Sequence, residues 1–142
     1  MSCPLCESRG GTLLWQNDLC RVVLADDPDH PGFLRVILNS HVREMTDLPA
    51  GDQTALMQVV FAAEAALREV LAPDKVNLAS LGNVVPHLHW HVIPRFTDDP
   101  HFPNPVWGVR QRGAPHVAPP DLHALLRAAL HSRGAGRGSK DT

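Results

Sequence analysis

The sequence has no marked excess of charge of either sign and no long apolar run. Thirteen Lys and Arg residues oppose 15 Asp and Glu residues, which gives a formal net charge of -2 at pH 7. This composition offers no basic footprint for a nucleic-acid backbone. No uncharged apolar run reaches membrane-spanning length, and the N-terminal residues Met-Ser-Cys-Pro do not form a signal peptide. We therefore expect a cytoplasmic protein without nucleic-acid or membrane partners.

The sequence also lacks internal repeats and any sign of a second domain. The chain has 142 residues, of which 44% are hydrophobic, and this length is enough for one domain with its own core. We expect that domain to span residues 1–132. Residues 133–142 are rich in glycine and charge, which predicts a disordered tail.

Cysteine is scarce, with three residues in the chain. Cys3 and Cys6 form a Cys-x-x-Cys pair, which in a reducing compartment is more typical of a metal site or a redox element than of a structural disulfide. Cys20 alternates with Val22 and Leu24. This alternation predicts that Cys20 is a small buried apolar residue and not a metal ligand.

Histidine, by contrast, is abundant, with nine residues. Three of them alternate with apolar residues in Val-Pro-His-Leu-His-Trp-His-Val-Ile-Pro, residues 85–94, which we call the histidine segment. Alternation at period two predicts a half-buried strand, bounded by its two prolines, with His87, His89 and His91 on one face. The other histidines that stand in loop-like or polar settings are expected to face solvent, namely His30, His101, His116, His123 and His131.

Short strand patterns separated by turns predict an α+β fold with an antiparallel sheet of about five strands. A long helix is predicted from about residue 51 to 71, with its N-cap at or near Asp47 and its end before Pro73. A short C-terminal helix is predicted over 121–130. The strand 75–81 and the histidine segment should pair as a hairpin. Strands are also predicted over residues 12–15, 19–24 and 33–38.

Residues 95–120, which we call the arm, are rich in Pro, His, Asp and Gly and have little periodicity. We expect a long ordered loop with Val106 and Trp107 as its apolar anchor. Trp107 is expected to cover the active site or a neighbouring subunit, and a core or interface role is favoured over stacking on a base. Trp90 points away from the histidines in the predicted strand, which indicates a core residue.

A row of imidazoles on a rigid strand allows two kinds of chemistry. Histidines on one strand face are able to hold a catalytic zinc ion with an open coordination site. Alternatively, one imidazole attacks phosphorus as a nucleophile while its neighbours handle charge and protons. The spacing of the three histidines does not choose between them.

The sequence His-Leu-His-Trp-His-Val-Ile, residues 87–93, resembles the signature of the histidine triad (HIT) family of nucleotide hydrolases and transferases. Residues 36–41, which end in His41 and precede the long helix, are similar to the family's strand-turn-His-helix segment. Asn77 followed by Gly82-Asn83 resembles the stretch before the triad, where many relatives carry Gly-Gln. The resemblance covers roughly residues 3–107.

The resemblance implies a role for each residue that matches. His89, the middle histidine, would attack the α-phosphorus of a nucleotide and form a nucleotidyl-histidine, while His91 would bind the phosphate and assist the leaving group. Asn83 and Asn77 match positions that contact phosphate in the family. Asp26, which follows the second strand, would hold the ribose hydroxyls, and Asp27 is nearly as good a candidate. No metal is needed at the reacting centre.

The resemblance also assigns a role to the Cys-x-x-Cys pair. Some bacterial HIT proteins hold a structural zinc ion with such a pair and two histidines, which here correspond to His41 and His87. A tetrahedral structural zinc takes four N or S ligands, so Cys3, Cys6, His41 and His87 form the predicted zinc site.

The sequence therefore predicts a HIT-family hydrolase or nucleotidylyltransferase that acts on nucleoside phosphoramidates or dinucleoside polyphosphates. HIT proteins are commonly homodimers with sheets joined across the interface, so the resemblance implies a homodimer. Two alternatives are a nucleotide-binding or regulatory module with little turnover and a zinc-dependent hydrolase that uses the histidine row.

Overall fold

A computed structural model describes residues 2–133 of the chain. Five strands form one antiparallel sheet in the order β1-β2-β3-β5-β4. This arrangement confirms the predicted α+β fold, and β4 and β5 form the predicted hairpin. The strands are β1 (Thr12–Gln16), β2 (Cys20–Leu24), β3 (Leu34–Leu38), β4 (Lys75–Ala79) and β5 (His89–Arg95).

Three helices accompany the sheet: α1 (Pro4–Glu7), α2 (Ala50–Leu71) and α3 (Leu122–Ser132). The start of the long helix is confirmed to within one residue, but Asp47 does not cap it, because Asp47 lies in a separate 3-10 turn and Pro49 is the N-cap of α2. The end of α2 is as predicted. Ala72 adopts a left-handed conformation with φ of 46° directly before Pro73, where a proline disfavours a further helical residue.

One face of the sheet, which we call the helix face, packs against α2 and α3. Alternate residues of each strand point to this face, and those residues are apolar. The buried stripe of α2, at helical spacing, meets them. Cys20 is fully buried in this core, as predicted, and burial raises the pKa of its thiol to about 12. The core includes Val22, Val36 and Val92 from the sheet and Leu56, Val60 and Leu126 from the helices.

The opposite face carries histidines and is called the histidine face. It is covered by the N-terminal turn and by the arm, and its apolar contacts form two small clusters. Leu5 of α1 packs on Val23 and Ile37 in the first of them. In the second, Phe33 packs with Ile93. Because these clusters are small, polar contacts must supply much of the order on this face.

An ion pair at the end of β5 organises the arm. Arg95 and Asp99 are almost fully buried and make two hydrogen bonds, Nε to Oδ2 at 2.8 Å and Nη2 to Oδ1 at 3.1 Å. The Arg95 guanidinium also donates to Oδ1 of Asn77 and to the backbone oxygen of Asn104. Asp99 accepts from backbone N–H groups at the start of the arm as well. The arm is therefore an ordered loop, as the sequence predicts.

The histidine segment departs from the prediction at both ends. β5 begins at His89, so His87 lies before the strand and not on its histidine face. The backbone leaves the regular register at Leu88. The N–H of Leu88 donates to the backbone oxygen of Val42, and the carbonyl of Leu88 accepts from the N–H of Leu38. At the other end, Pro94 lies within β5 and does not terminate it.

His30 contradicts the expectation that the remaining histidines face solvent. It is 3% exposed, and its Nε2 lies 2.9 Å from Nδ1 of the half-buried His101. None of the helices within residues 2–133 has the length and apolar character that a membrane crossing needs. Nearly all of the predicted tail, residues 134–142, lies outside the described residues, as does Met1.

Candidate active site

His89 and His91 open onto one cavity of about 510 Å³ on the histidine face, which we call the histidine cavity. Their rings are 4.9 Å apart between centroids and nearly perpendicular. The N-terminal turn, β3, the loop before the histidine segment and the arm all contribute walls. Its lining consists of Pro4, Leu5, Ser8, Gly10, Arg35, Leu81, Gly82, Asn83, Val84, Val85, His89, His91 and Trp107.

The backbone fixes the orientation and the tautomer of His89. Nδ1 of His89 lies 2.6 Å from the backbone oxygen of His87. A carbonyl oxygen only accepts hydrogen bonds, so Nδ1 carries a proton, and the lone pair of the neutral imidazole is then on Nε2. Nε2 has no hydrogen-bond partner among residues 2–133. This is the arrangement that a nucleophilic imidazole requires.

His91 sits deeper, between the sheet and the arm. Its ring meets Trp107 at 5.0 Å and Phe33 at 5.5 Å between centroids, both edge to face. Burial, together with the nearby charges of His89 and Arg35, lowers the pKa of His91 to about 4. His91 is therefore neutral at pH 7. Its Nδ1 is buried and has no hydrogen-bond partner within residues 2–133.

The other predicted substrate contacts divide into one that lines the cavity and two that do not. Asn83 is exposed and lines the histidine cavity. Asp26 is exposed directly after β2 but is not part of the lining. Asn77, on β4, has its side-chain oxygen engaged by Arg95 at 2.9 Å and lines a separate cavity at the edge of the sheet.

The four predicted metal ligands come together at the N-terminal edge of the histidine face, as a group that we call the Cys–His cluster. Their ligand atoms all lie within 4.8 Å of one another. Nδ1 of His87 lies 3.4 Å from Sγ of Cys3, 3.5 Å from Sγ of Cys6 and 3.2 Å from Nδ1 of His41. A tetrahedral zinc ion with bonds of about 2.0–2.3 Å separates its ligands by about 3.3–3.8 Å.

The protonation of His87 also suits a metal ligand. Nε2 of His87 lies 2.7 Å from the backbone oxygen of Leu38, so Nε2 carries the proton. Nδ1 then points its lone pair towards the two thiols. A metal-bound histidine commonly donates its second N–H to a carbonyl or a carboxylate, which fixes its ring. The donor set and its surroundings therefore fit a structural zinc ion.

Two arginines on this face were missed in the sequence analysis. Arg21 is buried and donates to the backbone oxygens of Leu5, Ser8 and Arg9, which ties the N-terminal turn to β2. Arg35 lines the histidine cavity. Each is the single charged residue in an otherwise apolar strand, and that contrast is the signal that could have identified them.

The fold is an α+β fold with an antiparallel sheet, and its C-terminal hairpin, β4 and β5, carries a His-x-His pair beside the Cys–His cluster. This combination defines a protein of the histidine triad type. The HIT domain model matches residues 9–98, which is more than half of the chain. The chain belongs to the HIT family.

Solved structures agree with this assignment. A histidine triad protein from Bradyrhizobium japonicum is 32% identical, with a TM-score of 0.72 over 88% of this chain and 91% of that one. A zinc-bound histidine triad family protein from Mycobacterium smegmatis is 25% identical, with a TM-score of 0.68 over 96% of this chain and 98% of that one.

A curated relative carries a functional name. The AP-4-A phosphorylase of Mycobacterium tuberculosis strain H37Rv is 28% identical over 113 residues. The match covers 75% of this chain, and the chain spans only 58% of that relative's length.

Proposed function

We propose that this protein is a nucleotide hydrolase or nucleotidylyltransferase in which His89 forms a covalent bond to the α-phosphorus of the substrate. One observation carries the proposal: the bond from Nδ1 of His89 to the backbone oxygen of His87 leaves the Nε2 lone pair free at the histidine cavity. An imidazole that is rigidly held and open at one nitrogen is placed to attack phosphorus through that nitrogen when the ring is neutral.

In the first step, Nε2 of His89 bonds to the α-phosphorus, and the bond from phosphorus to the leaving group breaks. The leaving group is the amine of a phosphoramidate, which takes up a proton from solvent, or the remaining nucleoside polyphosphate of a dinucleoside polyphosphate, which leaves as an anion. Positive charge develops on the imidazole as the bond forms. The carbonyl oxygen of His87 stabilises that charge through the Nδ1–H hydrogen bond.

In the second step, water or another acceptor attacks the same phosphorus and the bond to His89 breaks. The product is a nucleoside monophosphate when water is the acceptor. Inorganic phosphate as the acceptor would make the enzyme a phosphorylase, the activity that the M. tuberculosis relative's name states.

The neighbours of His89 would bind and orient the phosphate. His91 is neutral at pH 7 because its pKa is about 4, so it acts by hydrogen bonding and not by charge. Asn83 lines the cavity and offers an amide. The roles of Asp26 at the ribose and of Asn77 at the phosphate stay predictions, since neither residue lines the histidine cavity.

We also propose a structural zinc ion in the Cys–His cluster. Zinc would cross-link the N-terminal turn to His87, and its contribution would be to stability and not to the reacting centre. The separations among the four ligand atoms and the tautomer of His87 support this assignment, as does the zinc-bound relative. Reduced thiols are needed for such a site, which supports a cytoplasmic location.

A homodimer is proposed on the family resemblance and on the position of β4. Among residues 2–133 this strand pairs with β5 alone and forms one edge of the sheet, so its outer hydrogen-bonding groups are available to a second copy. Sedimentation velocity at micromolar concentration measures the mass, and a purely monomeric protein would contradict this part of the proposal.

His89→Gln tests the reaction mechanism. Turnover of an adenosine phosphoramidate should fall by about 10⁴-fold or more, because no other side chain replaces the nucleophile. Mass spectrometry of rapidly quenched wild type should detect the added nucleotidyl group, which His89→Gln lacks. The matched control is His123→Gln, at an exposed position of α3, which should keep full activity.

The same variants separate the two alternatives. Full turnover in His89→Gln would contradict the nucleophile assignment. If the wild type binds nucleotides but turns over none of the phosphoramidates or dinucleoside polyphosphates, the protein is a binding module.

Cys3→Ser tests the metal assignment. Elemental analysis should give one zinc ion per chain for the wild type and for His89→Gln, and much less for Cys3→Ser. Zinc content that instead depends on His89 and His91 would favour the zinc-dependent hydrolase.

A further inference from the structure

Arg35 is the one permanently charged residue, within residues 2–133, that lines the histidine cavity. It lies on β3 directly opposite His91 of β5. Residues opposite each other in an antiparallel pair share a face of the sheet, so Arg35 and His91 both belong to the histidine face. Its side chain is half-buried, and a fixed charge at such a position needs an explanation.

The intramolecular contacts of Arg35 leave most of its donors unused. Nη1 donates to the backbone oxygen of Gly10 at 2.6 Å, and this is its single hydrogen bond within residues 2–133. The guanidinium carbon lies 5.8 Å from the centroid of the Phe33 ring. No carboxylate of the described residues forms an ion pair with it, although the charge of Asp27 acts on it from farther away.

Arg95 provides a direct contrast on the same face. Its guanidinium makes four hydrogen bonds, to Asp99, Asn77 and Asn104, which is how a purely structural buried arginine is compensated. Arg35 has no such compensation, and burial lowers its pKa from the usual value. Arginine stays protonated even so. The positive charge of Arg35 therefore has no ion-pair partner among residues 2–133, and an anionic ligand could provide one.

We infer that Arg35 binds a phosphate group of the substrate and supplies the positive charge in the histidine cavity. The inference deepens the proposed function and depends on it for the identity of the ligand as a nucleotide. His91 and Asn83 are neutral at pH 7, so hydrogen bonds alone would face an anionic phosphate without Arg35. A guanidinium gives charge-assisted and commonly bidentate hydrogen bonds to phosphate oxygens.

Calorimetric titration with AMP, adenosine and inorganic phosphate tests the inference without requiring turnover. The variants are Arg35→Gln, Arg35→Lys and a control, Arg133→Gln, which removes the same charge at an exposed ion pair with Glu69. Arg35→Gln should bind AMP about 10- to 100-fold more weakly, the range of a charged hydrogen bond, and adenosine as the wild type does. Arg35→Lys should recover part of the loss, and Arg133→Gln should match the wild type.

Three results would overturn the inference. The first is an unchanged affinity of Arg35→Gln for AMP. The second is an equal loss of affinity for AMP and adenosine in that variant. The third is a wild type that binds neither AMP nor inorganic phosphate. Thermal unfolding of each variant checks that the fold is intact, and Arg35→Lys keeps the test valid if Arg35→Gln unfolds. An Arg35-dependent affinity for AMP in a protein without any turnover would instead contradict the proposed reaction and leave the phosphate contact standing.

Discussion

The sheet is buried on both faces, but the two faces are buried by different means. On the helix face, two helices cover side chains that are uniformly apolar. On the histidine face, a four-residue helix and an irregular arm cover a mixture of apolar and polar side chains. The buried polar residues lie on the histidine face or in the segments around it, namely Arg21, His30, His87, His89, His91, Arg95 and Asp99.

The difference shows how the chain separates stability from chemistry. Apolar burial on the helix face is non-directional and tolerates changes of side chain that conserve volume. Order on the histidine face depends on paired donors and acceptors, and a missing partner there is costly. The donors of Arg35 that lack an internal partner are then available to a ligand in the histidine cavity.

The largest effect on stability is expected from Arg95→Met on the histidine side. Removal of the guanidinium leaves the buried carboxylate of Asp99 without its partner, which should lower the free energy of unfolding by about 3–5 kcal/mol. Chemical denaturation measures this change.

The double variant Arg95→Met with Asp99→Leu is the control, because it removes both charges. It should recover most of the loss, since replacing both members of a buried pair is far less costly than breaking it. If the double variant is as unstable as Arg95→Met, the cost lies in packing and the contrast between the faces is weaker than described.

A smaller loss is expected from Val60→Ala on the helix face. Val60 is fully buried against the sheet, and removing its two methyl groups should cost about 2 kcal/mol. Because the helix face holds no polar site, turnover per folded molecule should be unchanged. A large fall in turnover at a temperature where the variant is folded would mean that the two faces are coupled.

The smallest effect is a pH dependence that originates at His91. Burial lowers its pKa from 6.5 to about 4, so the unfolded chain binds the proton more readily than the folded one. Stability is therefore fully present above pH 6.5 and is lost as the pH falls towards 4. His91→Gln should reduce that loss by about 1–2 kcal/mol, with allowance for partial solvent access.

Denaturation curves at pH 7 and pH 4.5 measure this difference. His123→Gln, on the exposed side of α3, should leave the pH dependence as it is in the wild type. An identical pH dependence in His91→Gln would show that His91 is not held neutral by its surroundings.

The helix face was largely predictable from sequence because its patterns are local. Short strand patterns between turns predicted the strands, and the position of Pro73 predicted the end of α2. The start of α2 was predicted to within one residue, but its N-cap is Pro49 and not Asp47, which lies in a separate 3-10 turn.

On the histidine face, the members of the Cys–His cluster were predicted, but the backbone path at His87 and the burial of His30 were not. The resemblance grouped Cys3, Cys6, His41 and His87, and the structure brings these residues together. Alternation alone put His87 on the strand, because a period of two cannot reveal that Leu88 bonds outside the sheet register. The burial of His30 depends on the packing of the arm, which leaves no periodic signal in the sequence.

His87 has a further consequence for the way in which the site is completed during synthesis. Its side chain meets Cys3, 84 residues earlier, while its backbone carbonyl orients the nucleophile two residues later. Cys3 is thus synthesised well before His87 and acquires this partner only after 84 further residues have been added. The orientation of His89 is therefore a property of the finished domain, and a partly synthesised chain that ends before the histidine segment holds three of the four ligands and no nucleophile.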